Sequence, residues 1–231
     1  MLKSETLNSP LARRRFLAFS GIGAAALSLP GCATMGGDSL TQAIRRLLML
    51  SSENAFARLL APGGFHQNGL ASLNLEQVFG TRGGILQTIL SSGMVRDRLA
   101  RELSDVAARG AYNAAPVIAD TARVVGFENA LALVTGNPTA ASSFLRANMG
   151  SRLIDAMLPE MGQALRVVDD PVLGSAFSAL SGVDVTRIAS GLTDKVEDVI
   201  WNEIGREEAA IRADPYKTND PVLIGVFGPQ R

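Results

Sequence analysis

The stretch DVTRIASGLTDKVEDVIWNEIGREEAAIRADP, residues 184–215, decides the fold. Its apolar residues Val185, Ile188, Ala189, Leu192, Val196, Val199, Ile200, Ile204 and Ile211 recur mostly at three- and four-residue intervals, the spacing that collects side chains on one face of an α-helix. Asp184 can cap the start. Asp214-Pro215 stops the end, because the residue before a proline is pushed out of the helical region. The segment is therefore predicted to be the last and longest helix of the chain.

The same period runs outward toward the N-terminus. Asp38-Ser39 can cap a helix that carries Leu40, Ala43, Ile44, Leu47, Leu48 and Leu50 and ends near Leu60, closed by Pro62-Gly63-Gly64. A loop over 65–74 leads into a short element at 75–79, and helices follow at 85–90 and 95–114. Val95, Leu99, Leu103, Val106 and Ala107 line one face of the latter, and Pro116 is read as opening the next segment. Thr135-Gly136-Asn137-Pro138 marks a tight corner: Gly for a left-handed residue after a helix, Asn to cap the next one, Pro preorganised for its first turn. Helices are expected at 139–148, at 151–168 with a kink at Pro159, and at 172–180. The run 222–227 reads as a short helical turn or a strand-like strap.

Composition agrees. Ala, Leu, Gly and Val recur while aromatic residues are only 5%, which suits closely packed helices better than a sandwich of Val, Thr and Tyr. The 47% hydrophobic content is enough for one sizeable core. The fold class is all-α: a single multi-helix domain over residues 38–231, following an N-terminal lipoprotein signal.

That signal occupies residues 1–31. Arg13, Arg14 and Arg15 precede Phe16-Leu17 and the apolar run 18–29, and Leu29-Pro30-Gly31-Cys32 closes it. A charged region, a short apolar region and a small residue before a processing point define a cleaved export signal. About a dozen apolar residues are too few to span a bilayer, which needs about 20. Arg13, Arg14, Phe16 and Leu17 resemble the twin-arginine export signal, although a general secretory signal also accommodates paired arginines. Leu29, Gly31 and Cys32 resemble the lipobox of bacterial lipoproteins, with Pro30 where a smaller residue is usual. Cys32 is then the lipid-attachment residue, 32–37 a lipidated tether, and the location periplasm-facing in the cell envelope. Ala33 after the cysteine favours the outer membrane by that resemblance.

Three further groups of residues occur in order: Glu53-Asn54-Ala55 with Pro62-Gly63-Gly64-Phe65; Thr135-Gly136-Asn137-Pro138-Thr139-Ala140-Ala141 with Phe144-Leu145-Arg146; and Glu207-Glu208-Ala209-Ala210-Ile211-Arg212-Ala213-Asp214-Pro215, followed by Thr218, Asp220 and Val226-Phe227-Gly228. Together they resemble the bacterial domain of unknown function 4197 family, across about residues 40–228. The resemblance implies a helical, often signal-bearing envelope protein and assigns no chemistry. The loop 65–75 departs from the more proline-rich stretch expected of relatives.

The residues restrict chemistry independently. His66 is the only histidine and Cys32 the only cysteine, so a site of several His or Cys ligands is excluded by count, no disulfide can form within the chain, and no metal or other cofactor is expected. Lys195 and Lys217 have no serine at the spacing of Ser-Lys catalysis, and no phosphate-binding glycine loop occurs. The 22 basic and 22 acidic residues cancel; without the four basic groups and one acid of 1–31, 18 stand against 21, a net −3 that disfavours nucleic acid. Carboxylates remain: Asp194, Asp198, Glu203, Glu207 and Glu208 on the last helix. They are read as a solvated face with Glu208 and Arg212 paired four residues apart.

Glu207, Glu208, Arg212 and Asp214 are the most distinctive polar cluster, a candidate recognition patch or an ordinary helix end, the latter favoured. Three functions follow. The first is a non-catalytic helical interaction module tethered to the membrane through Cys32, with an envelope protein or the cell wall as partner and no catalytic residue. The second is a carrier of a small apolar ligand or lipid, the third a carboxylate-dependent envelope hydrolase.

Overall fold

The computed structural model describes residues 37–70, 92–124, 126, 128–166 and 185–229, and among them all regular structure is helical. The signal and Cys32, the cap at Asp184 and the expected elements at 75–79, 85–90 and 172–180 lie outside the described residues. The helices are α1 (Gly37–Leu59), α2 (Gly64–Gln67), α3 (Gly93–Val124), α4 (Ala130–Thr135), α5 (Ala140–Met149), α6 (Arg152–Arg166) and α7 (Val185–Ala213). A 3-10 turn (Pro215–Thr218) and α8 (Pro221–Phe227) complete the chain.

Helix α7 is the centre. Between Val196 and Ile211 only Asn202, Arg206 and Ala210 are exposed, so this segment is enclosed nearly all round, the condition of a core helix. Helix α1 packs on it through Ala43, Ile44, Leu47, Leu48, Ala55 and Leu59, all fully buried. Ser51 and Ser52 share that buried stripe, and each satisfies its hydroxyl by donating to the carbonyl four residues back, Leu47 and Leu48, at 2.7 Å. Helix α1 begins at Gly37, so Asp38 sits in its first turn rather than before it. At the other end Gly63 takes φ 75°, the left-handed turn that glycine permits, and the expected loop opens with α2, which buries Phe65.

Helices α3 and α6 pack side by side along the core. They are tightly packed at Gly110, where an added Cβ would stand 2.4 Å from Met161 Sδ. Helix α3 corrects two expectations. At 32 residues it is longer than the 29-residue α7, and Pro116 lies inside it rather than opening a new segment. The buried stripe Ala107, Ala111, Ala114, Ile118 and Ala122 continues unbroken past the proline, while Pro116 itself faces outward. The amide that proline lacks therefore deserts the Tyr112 carbonyl on an exposed face, where water substitutes, and burial of the opposite face carries the helix through. Pro159 is likewise exposed within α6, opposite buried Met157 and Met161.

The C-terminal run is a helix, not a strap. Asp220 caps α8 by accepting from the amides of Val222 (2.8 Å) and Leu223 (3.2 Å), Pro221 stands in the first turn, and Leu223 is buried. Replacing Pro116 by Ala restores the missing bond to Tyr112 without touching the buried stripe. The variant should be more stable by about 1–3 kcal/mol, read as a higher midpoint in thermal or urea unfolding.

Candidate functional site

The corner between α4 and α5 is built by residues far away in sequence. Asn137 Oδ1 accepts from the Thr139 amide at 2.9 Å and from its hydroxyl at 3.1 Å, which turns the chain into α5. Gly136 does not use a left-handed conformation; its φ is −70°, an angle open to any residue. What requires glycine is space, since a Cβ there would lie 2.8 Å from both the Ala132 carbonyl oxygen and the Ala140 Cβ.

The α4 carbonyls and α5 amides left unpaired at this corner are taken by one pair on α7. Arg212 donates from Nη1 to the Val134 carbonyl and from Nη2 to the Leu133 carbonyl, both at 2.9 Å. Glu208 accepts from the amides of Ala141 (3.0 Å) and Ser142 (2.7 Å). The two side chains close on each other, Arg212 Nε donating to Glu208 Oε1 at 2.9 Å, and the Phe227 ring of α8 covers the guanidinium with its centroid 4.8 Å from Cζ. A cation thus sits at a helix C-terminus and an anion at a helix N-terminus, as both helix dipoles favour.

Glu207 turns the other way, toward α1. It accepts from Asn54 Nδ2 at 3.2 Å and pairs with Arg58, whose guanidinium also lies 3.4 Å from Glu203. The Glu203 side chain is 1% exposed; Arg206 Nη1 stands 2.7 Å from it, yet neither carboxylate oxygen accepts a well-aligned hydrogen bond. Higher on α7, Glu197 and Asp198 hold Arg146 of α5 at 2.6 and 2.7 Å. Burial alone would lower the Arg146 pKa, but the hydrogen bonds and charges of Asp198 and Glu197 outweigh it and raise it.

The predicted pair Glu208–Arg212 is therefore present, but of the five acids expected on a solvated face only Asp194 and Asp198 reach solvent. Glu203 and Glu208 are buried, as are Glu197 and Glu207, because α7 lies inside the bundle and not on it. Asp214 stands apart: it starts the 3-10 turn and pairs at the surface with Lys217 at 3.3 Å. Sequence reasoning missed Arg58, Asn54 and Arg146 as partners. The available signal was Glu203 and Glu207 four residues apart on a helix whose apolar residues already covered most of its circumference.

Two open grooves flank this network. One, of about 250 Å³, lies between α5 and α7 beside Thr139, Ser143, Arg146, Trp201 and Arg206. The other, of about 450 Å³ between α1 and α3, is apolar and lined by Met49, Phe56, Leu60, Ala115, Pro116 and Ala119. Among the described residues no group of three or more His, Cys, Asp or Glu is placed to hold a metal ion. No helix among them is long and apolar enough to cross a membrane.

The arrangement defines an all-helical domain organised on a central charged helix, and comparison places it. The chain belongs to the protein of unknown function family DUF4197, whose sequence model matches residues 34–228. No curated protein and no solved structure matches it.

Removing either half of the α7 pair strands a buried charge and unpairs a helix end. Glu208→Ala and Arg212→Ala should each destabilise by about 3–5 kcal/mol in urea unfolding, and the double variant by less than the sum. A second outcome concerns α8. Burial pushes the Asp220 carboxyl up, but Arg46 at 2.8 Å and the two backbone amides outweigh it and hold it below the usual carboxylate range. That stabilisation is present in full above the ordinary value and is lost as pH falls through the lowered one. Asp220→Asn should melt below the wild type at neutral pH, and the gap should narrow on acidification below about pH 4.

Proposed function

We propose that the protein is an envelope lipoprotein, anchored through Cys32, whose helical domain is a non-catalytic interaction module. The supporting sequence feature is the order of charged, apolar and small residues ahead of Cys32. The observation that carries the non-catalytic part is the fate of the carboxylates. Glu207 and Glu208, the pair a hydrolase would need in one cleft, turn to different neighbours, and each is engaged within the chain. A carboxylate that caps a helix and neutralises a buried guanidinium has no free role as acid or base.

The largely apolar groove between α1 and α3 favours a second reading, a carrier of a small apolar ligand, because Met, Phe, Leu, Ala and Pro side chains line most of it, with Ser52 and Glu53 as its polar groups. Native mass spectrometry of the protein purified without detergent separates the two: a reproducible small-molecule adduct supports carriage, a ligand-free mass the interaction module.

Anchoring has its own test. Several acyl chains, each contributing about 0.8 kcal/mol per buried methylene, hold a domain firmly on a bilayer. The full-length chain should sediment with membranes and carry the mass of a lipidated cysteine. Cys32→Ala should release it to the soluble fraction and abolish its capture of an envelope partner. Sedimentation unchanged in that variant would overturn the assignment.

A further inference from the structure

Helix α1 runs antiparallel to both of its long neighbours. Asn54 and Arg58 meet Glu207 and Glu203 of α7 while Arg46 meets Asp220 beyond its end, and along α3 Leu60 lines the grooves at both Ala108 and Pro116 whereas Met49 lines only the one at Pro116 and Ala119. The first turns of α1 therefore share one end of the bundle with the last turns of α3 and α7. Helices α4 and α8 and the 3-10 turn gather there, α4 and α8 packing on α1.

Three large apolar side chains of that end are left in solvent: Val124 at the close of α3 is 77% exposed, Leu131 on α4 is 64% and Tyr216 on the 3-10 turn is 51%. Lys217 beside Tyr216 and Arg123 beside Val124 are exposed as well, pairing at the surface with Asp214 and Asp120. Apolar side chains flanked by an aromatic hydroxyl and long cationic stems are the composition of a surface that meets lipid headgroups.

The length of chain ahead of the domain selects the occupant. Cys32 and Gly37 are five residues apart, which span at most about 18 Å when fully extended. We infer that this end of the bundle, with Val124, Leu131 and Tyr216 in contact, rests on the lipid surface in which Cys32 is anchored. The inference rests on the lipoprotein reading above and adds to it an orientation. Met94, 81% exposed, lies about 45 Å from Val124 along α3 and faces away from the bilayer, and Tyr112 is held off it too.

The test uses the full-length chain purified from a bacterial envelope, with single substitutions Val124→Cys, Leu131→Cys, Tyr216→Cys, Met94→Cys and Tyr112→Cys. Each carries a thiol-reactive fluorophore and is reconstituted in phosphatidylethanolamine–phosphatidylglycerol vesicles with or without nitroxide-bearing lipid. A lipidated Cys32 is a thioether and takes no label. Loss of fluorescence to lipid-borne nitroxide is expected at 124, 131 and 216 and not at 94 or 112. Lipidated protein quenched equally at all five positions, at none, or only at 94 and 112 overturns the orientation while leaving the anchor standing. Intact mass of the same samples reads the anchor separately, and an unmodified Cys32 in protein that stays off the vesicles overturns both.

Discussion

A carboxylate with no exposed surface can stay charged inside a protein only if its surroundings replace water. For Glu208 they do so fully: two backbone amides and one guanidinium converge on its oxygens, and that guanidinium donates two further hydrogens to two carbonyls. The pair depends on the corner as much as the corner depends on it. Without α4 ending and α5 beginning side by side, Arg212 and Glu208 would be buried charges with one partner each. Without the pair, two helix ends would be buried unsatisfied against α7. The position of α4 and α5 on the central helix is thus fixed by directed bonds, where apolar packing alone would leave their register loose.

The rest of α7 extends the same logic along its length. Its acids alternate between neighbours: Glu197 and Asp198 toward α5, Glu203 and Glu207 toward α1, Glu208 toward the corner. Buried ion pairs add little net stability over apolar packing of similar volume, because desolvation offsets most of the attraction. Their effect is on arrangement. A central helix with only apolar faces could slide or rotate by one turn against α1 and α5 at small cost, whereas each such shift would here strand a carboxylate away from its arginine.

The helices were legible because their cause is local and periodic. The three- and four-residue spacing in α1, α3 and α7 survives in the buried stripes, and the corner at Thr135–Pro138 was visible as a cluster of turn-forming residues. What could not be read were features decided by what packs opposite. Pro116 looked like a boundary because the sequence shows its missing amide but not the buried stripe behind it. Gly136 looked like a left-handed cap because φ preference belongs to the residue, while the crowding by Ala132 and Ala140 belongs to the fold. Glu203, Glu207 and Glu208 looked solvated because glutamate usually is, and only the enclosure of α7 by its neighbours overrides that preference. Of the predicted cluster, Glu208 and Arg212 form the junction, while Glu207 turns to α1 and Asp214 stands apart.

The three groups of residues that make the chain resemble its family are, in the structure, one network. Asn54 from the first reaches Glu207, the corner and Arg146 from the second meet Glu208, Glu197 and Asp198, and Asp220 and Phe227 from the third close over Arg46 and Arg212. The residues that carry the resemblance are thus engaged in intramolecular contacts. Whatever distinguishes the work of this chain has to be done by groups that wiring leaves free. Those include the apolar groove between α1 and α3, the groove beside Arg109 and Tyr112, the cleft beside Trp201, and the exposed end around Val124, Leu131 and Tyr216. Of these, only the last gathers at the end of the bundle where α1 begins, so under the proposed anchor it is the surface turned to the membrane and the grooves are left to receive a ligand or partner.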